Sequence, residues 1–337
     1  MSGSILPWVV LLPVVAGLIV LLMPRRGWLI EILTVVGAAV VFVPTLVISA
    51  HAGLSFGVSL GDGELGRWID LRFLVDGLNA WVAPFAALFT LLVAGWSAIY
   101  MRYHPRRPLY YAAILFTVSA ALCALYADGA ATFLAAWGVL ALLLYVLIGI
   151  DGERAGKAAR KSFLIIGGAD FLTVLGVVLM LHIAGKASFS AIQASPIPAA
   201  GVGALALILI LIGALAKAGA MPFHTWIPDA ATVSPTPVLA YLPASLDKLL
   251  GIYLLARASV YLFRLNYSIG LLAQLEFREY AQDLSDFIVI NFDSERENNN
   301  WLIGEIGRRL EEDVTLRLRG GWRRNESVFR DRYYDKY

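Results

Sequence analysis

The chain has 337 residues, 59% of them hydrophobic and only 15% charged, with a formal net charge of +2. Those proportions lie outside the soluble range. They point to an all-α polytopic membrane protein, since neither a soluble core nor an outer-membrane barrel repeats uninterrupted apolar runs of this length.

In chain order, residues 5–23 form the first apolar run. It lacks a basic leader and is too long for the core of a cleaved signal, so it is predicted as a retained span. Residues 28–50 form the second, with Glu31 near its Arg25/Arg26 end. A glycine-rich polar stretch over 51–72 follows, with Gly61-Asp62-Gly63-Glu64 as its turn signal. Further spans are predicted over 73–101, 109–127, 130–150, 162–184, 202–231 and 238–263, giving about eight transmembrane helices. Arg25/Arg26, Arg102/Arg106/Arg107 and Arg154/Lys157/Arg160/Lys161 all follow odd-numbered spans. The positive-inside rule then puts those loops in the cytoplasm and the N-terminus outside. Residues 264–337 hold 12 basic and 14 acidic side chains, about half of the chain's charge. The predicted division is therefore a transmembrane domain over 1–263 and a short polar C-terminal tail over 264–337. Within the tail, Leu302, Ile306, Leu310, Val314 and Leu318 fall at amphipathic helical spacing across 301–318.

Lys217 lies inside the apolar run 204–220 with no other charge nearby. An ammonium at mid-bilayer costs about 2.5–3.5 kcal/mol on insertion scales, so a lysine kept there reads first as part of an ion or proton path. The alternative is a lysine that snorkels to the interface. The run breaks at Pro222, which cannot donate a backbone hydrogen bond and clashes with the carbonyl of Ala218. Such a broken helix predicts a buried, hydrated pocket. Pro228, Pro235 and Pro237 continue the irregularity, and His224 and Asp229 are the titratable groups along it, either as path members or as caps. The eighth span carries Pro243 and then Asp247-Lys248. Adjacent residues are about 100° apart around a helix, so each must find its own partner. Lys217–Asp247 is the predicted pair, as a proton-exchanging site or a static ion pair. Asp76, Asp170 and Lys161 read as polar anchors first and relay members second, and Gly167-Gly168 before Asp170 permits close helix approach.

The single cysteine, Cys123, excludes an internal disulfide, a cysteine-ligated iron–sulfur cluster and a cysteine zinc site. The four histidines lie without ligand spacing and no phosphate-binding loop is present, so no cofactor, metal or catalytic residue is expected in this chain. Any electron transfer belongs to another subunit.

The run from Lys217 through Met221-Pro222-Phe223-His224-Thr225-Trp226-Ile227-Pro228-Asp229 to Pro237 carries a resemblance. It is similar to the antiporter-like, proton-translocating membrane subunits of respiratory complex I, of membrane-bound multisubunit hydrogenases and of multisubunit cation/proton antiporters. The stretch from Val75-Asp76-Gly77-Leu78-Asn79 to Met101 resembles that family's third helix, and Leu242 to Arg257 looks more like its hydrogenase-linked branch. The resemblance covers roughly residues 5–263, with the first repeat at about 109–263. It implies that a lysine of a broken seventh helix shuttles protons, and Lys217 matches it. Three departures stand out. The glutamate that follows a tryptophan in the family's fifth helix is Gly138 here, after Trp137. A histidine of the eighth helix is replaced by Pro243, and the polar tail stands where a second, inverted repeat is expected. Asp247 is then the candidate substitute for the missing glutamate.

The resemblance implies a proton- or sodium-translocating subunit of a redox-driven complex, whose partner subunits transfer the electrons. Its expected place is the cytoplasmic membrane of a prokaryote. A non-conducting structural subunit of such a complex and a cation/proton antiporter component are the competing readings. The expected path residues are Lys217, Asp247, Lys248, His224, Asp229 and Asp170, with the helix breaks at Pro222, Pro228 and Pro243.

Overall fold

The computed structural model describes residues 3–23, 28–58 and 71–265. Among them, eight helical segments are long and apolar enough to cross a membrane, so the protein is an all-α, multi-pass membrane protein. The first six are α1 (Ile5–Leu22), α2 (Leu29–Ser49), α3 (Gly77–Tyr100), α4 (Arg107–Tyr126), α5 (Ala130–Ile148) and α6 (Glu153–Ala184). The seventh is discontinuous, with α7 (Val202–Ala218) and α8 (Trp226–Val233). The eighth runs through α9 (Thr236–Tyr241), a π-helical turn over Leu242–Leu246, α10 (Asp247–Ala256) and a second π-helical turn over Arg257–Leu262.

Two predicted boundaries move, each for a local reason. The third span begins at Gly77 rather than 73 because β2 (Leu71–Leu74) pairs antiparallel with β1 (Ser55–Val58), Phe73 opposite Phe56. Asp76 then starts the helix with a capping box. Its carboxylate accepts from the amides of Leu78 and Asn79, and Asn79 Oδ1 accepts from the Asp76 amide. The sixth helix starts at Glu153, well before 162. Ala155, Ala158, Ala159 and Ser162 extend its buried face, while Arg154, Lys157, Arg160 and Lys161 ride on the exposed one.

The helix α4 is the hub, buried on nearly every face and packed by α1, α2, α3 and α5. Small residues set how closely the helices approach, because apolar lipid gives helices no hydrophobic drive to associate. Gly213 of α7 lies so near Thr173 of α6 that a β-carbon would meet its hydroxyl at 1.6 Å, and Gly176 of α6 meets the Ala206 carbonyl in the same way at 2.7 Å. A two-residue parallel pairing of β3 (Ile197–Pro198) with β4 (Phe263–Arg264) joins the loop before α7 to the end of the eighth span. From residue 266 onward the predicted tail, including the helix over 301–318, lies outside the described residues, as does the turn at Gly61–Glu64.

A buried lysine flanked by two acids

The helix α7 ends in a Schellman motif. Gly219 takes the left-handed conformation (φ 72°), its amide donates to the Ala216 carbonyl at 3.0 Å, and the Ala220 amide donates to the Leu215 carbonyl at 2.9 Å. This corrects the sequence reading of the break. The helix stops at Gly219 before Pro222 is reached, and the motif satisfies Ala216 and Leu215 internally rather than leaving carbonyls freed by proline. Lys217 therefore sits in the last helical turn, where the negative end of the helix dipole favours a cation.

The Lys217 side chain is 1% exposed. Its Nζ lies 3.7 Å from Asp170 Oδ2 and 4.5 Å from the ring centroid of Trp137. Trp137 Nε1 in turn donates to Asp170 Oδ1 at 2.6 Å. Lys217, Asp170 and Trp137 thus form a closed triangle drawn from α7, α6 and α5. The reason is geometric. Gly213 and Lys217 are one turn apart on α7, and Asp170 and Thr173 are one turn apart on α6, so the close Gly213–Thr173 contact also draws the ammonium to the carboxylate.

Asp247 is 3% exposed, lies within electrostatic range of both Lys217 and Asp170, and has an Oδ2 atom that accepts no hydrogen bond from the described residues. No ion pair under 4.0 Å joins it to Lys217, so Asp170 holds the near place that the sequence reading gave to Asp247. Gly138, where the resemblance places a glutamate, faces outward with open space beside it.

The remaining predicted residues are spread out. Lys248, the residue after Asp247 on α10, is half-buried. His224 occupies a 3₁₀ turn over Phe223–Thr225, half-buried, with its Nδ1 unbonded among the described residues. Asp229 is exposed and pairs with Lys161 of α6 at 2.6 Å, while the same ammonium donates to the Thr225 carbonyl at 3.0 Å. Pro228 is no break: it stands in the first turn of α8, where proline is tolerated. Pro243 lies in the π-helical turn, where Ser245 Oγ donates to the Ala240 carbonyl at 2.7 Å. Asp76 does more than anchor its helix. It also pairs with buried Arg257 at 3.3 Å, Arg257 donates to Tyr253 Oη, and Tyr253 Oη donates to the Leu125 carbonyl at 2.9 Å. Trp137 was legible only as a landmark; no sequence signal marked its indole as a donor to Asp170. Among the described residues no three His, Cys, Asp or Glu side chains gather as a metal-binding group.

Residues 127–275 match the family described as NADH:quinone oxidoreductase/Mrp antiporter, TM. The NAD(P)H-quinone oxidoreductase chain 5 of Synechocystis sp. is 26% identical over 67% of this chain and 35% of its own length. A probable K(+)/H(+) antiporter component of Rhizobium meliloti is 31% identical over 58% of this chain and 20% of its own. The chain thus spans about a third or less of these two relatives. The solved Mrp complex of Dietzia sp. shares the fold, with a TM-score of 0.67 at 22% identity over 76% of this chain and 28% of that one. Residues 127–275, somewhat under half of the chain, thus resemble the transmembrane family shared by NADH:quinone oxidoreductase and Mrp antiporter subunits.

Proposed function

We propose that this protein is an ion-translocating membrane subunit of a multisubunit, redox-driven complex, moving protons (or sodium) while partner subunits transfer electrons. The observation that carries this reading is the burial of one base between two acids: Lys217 is 1% exposed, paired with Asp170 and within electrostatic range of Asp247. A surplus acid beside a buried ion pair gives the ammonium two alternative counter-charges, and a charge that can change partners can pass a proton. Asp170 and Asp247 are the partners of Lys217 in this reading, with His224, Asp229 and Lys248 serving its approach. The names of the relatives, quinone oxidoreductase and antiporter proteins, support a membrane complex as its setting. We place it in the cytoplasmic membrane of a prokaryote, with residues 1–263 as the translocating unit and 264–337 as an appendage.

The test uses membrane vesicles that hold the assembled complex, a potassium diffusion potential and an internal pH dye. Lys217→Ala is expected to lower potential-driven proton uptake by about tenfold or more. Uptake at the wild-type rate, with the variant present at wild-type level, favours the non-conducting reading instead.

A further inference from the structure

At the arginine-rich end of the bundle, the described arginine and lysine side chains divide into two kinds. Arg102 stacks its guanidinium 3.8 Å from the Trp28 ring centroid, and Arg106 donates to the Ile150 carbonyl at 3.2 Å. Arg107 pairs with Glu31 at 3.0 Å, and Lys161 with Asp229 at 2.6 Å. Arg154, Lys157 and Arg160 are different: all three are exposed, and none makes an ion pair or hydrogen bond among the described residues. They follow one another at three-residue spacing on α6, where like charges repel. Glu153 is the one acid in the first four turns of that helix, and no ion pair within 4.0 Å joins it to any of the three among the described residues.

The same face of α6 turns apolar below them. The helix has 32 residues and is about 48 Å long, against a hydrocarbon core of about 30 Å, so its first turns stand among the lipid headgroups. Next down the face come Leu164, 72% exposed, and Phe171, 62% exposed, with Leu175 and Val178 beyond. At 100° per residue, Lys157, Leu164, Gly168, Phe171 and Leu175 fall within about 60° of one another around the axis. Arg160 borders this strip on one side and Arg154 on the other. No atom stands within 4 Å of where a β-carbon on Gly168 would lie, so the strip opens there to the surrounding lipid. From Arg160 to Phe171 is eleven residues, about 16 Å, which matches the hydrocarbon depth of one leaflet. Three unpaired cations thus sit directly above an exposed apolar strip one leaflet deep.

We propose that this face of α6 is a docking site for an anionic glycerophospholipid. Arg154, Lys157 and Arg160 hold its phosphate, and one acyl chain lies along Leu164, Gly168 and Phe171. The chemistry of the two ends selects that occupant. Water alone solvates the cations but not the strip, and a neutral lipid tail covers the strip but leaves the cations repelling one another. A lipid with a negative headgroup meets both needs at once. Guanidinium groups bond phosphate oxygens in pairs, and the lysine adds a point charge between them. A choline headgroup brings its own ammonium into the cluster and cancels the gain, so a net negative headgroup is preferred.

The experiment places the assembled complex in nanodiscs whose lipids carry a photoreactive diazirine on the acyl chain, either phosphatidylglycerol or phosphatidylcholine at equal mole fraction. Labelled peptides are mapped by mass spectrometry. Phosphatidylglycerol is expected to label the α6 peptide spanning 162–178 about fivefold or more over phosphatidylcholine. The lipid-facing α1 peptide, with exposed Leu11 and Val15, serves as the control and labels equally with both. The triple variant Arg154→Gln/Lys157→Gln/Arg160→Gln should lose the preference on α6 while α1 labels as in the wild type. Raising the salt concentration should weaken the same preference in the unaltered protein. Equal labelling of α6 by the two lipids in the wild type overturns the proposal, as does a preference that survives the triple variant. Absence of label from either lipid also overturns it, because the face is then covered by another subunit.

Discussion

Gly251 of α10 lies so close to Ala218 of α7 that a β-carbon on it would stand 2.5 Å from the Ala218 amide nitrogen and 2.5 Å from the Ala214 carbonyl oxygen. Asp247 is one turn before Gly251 and Lys217 is the neighbour of Ala218, so this contact sets the distance between the second acid and the base. Both obstacles are backbone atoms, which cannot rotate aside. Gly251→Ala is expected to cost about 1–3 kcal/mol of stability by overpacking. Thermal unfolding in mild detergent reads that loss, and an unchanged midpoint contradicts the tight approach.

Lys217 and Asp170 should behave as a buried pair, not as two independent charges. Lys217→Met leaves Asp170 and Asp247 buried together without a base and is expected to cost about 3–5 kcal/mol. The double variant Lys217→Met/Asp170→Leu removes one stranded charge and should recover much of that loss. A double-mutant cycle measured by denaturant unfolding gives the coupling, and strict additivity speaks against the 3.7 Å pair.

Trp137 holds Asp170 in place through a 2.6 Å hydrogen bond. Trp137→Phe keeps an aromatic face for the Lys217 ammonium and removes only the donor. It is expected to destabilise by about 1–3 kcal/mol, the cost of a buried acceptor left unmet. Equal unfolding midpoints for the two proteins argue that the indole is only packing.

The Lys161–Asp229 pair is half exposed, at 43% and 49%, although its 2.6 Å contact is short. Exposed pairs of this kind contribute about 0–1 kcal/mol. Lys161→Ala should therefore shift the unfolding midpoint little. A large loss would mean that this bridge holds α8 against α6, and that the exposed end of the break is more rigid than its solvent access implies.

Much of the fold was legible because lipid imposes a simple rule. Every backbone polar group must be met internally, so long apolar runs declare themselves as helices, and all eight predicted spans correspond to helical segments. The ends were less legible where a local device decided them. The capping box of Asp76 and the basic residues riding on the first turns of α6 moved two starts, and Gly219 rather than Pro222 ended α7. Within the site, Lys217 announced itself as a charge alone in an apolar run, and Asp170 and Asp247 were visible as acids in mid-span. Which acid stands nearer was not. That depends on Gly213 meeting Thr173 and Gly251 meeting Ala218, contacts between helices far apart in sequence whose pairing no periodicity reveals.

The central claim is that the Lys217 ammonium releases and regains a proton, beyond balancing charge. Lys217→Arg separates the two roles, because guanidinium keeps the positive charge beside Asp170 but cannot be deprotonated in proteins. Potential-driven proton uptake in vesicles holding the assembled complex is the measurement. The account predicts that Lys217→Arg assembles at the wild-type level and loses most of its uptake, whereas uptake at the wild-type rate would show that a fixed charge suffices and would contradict it.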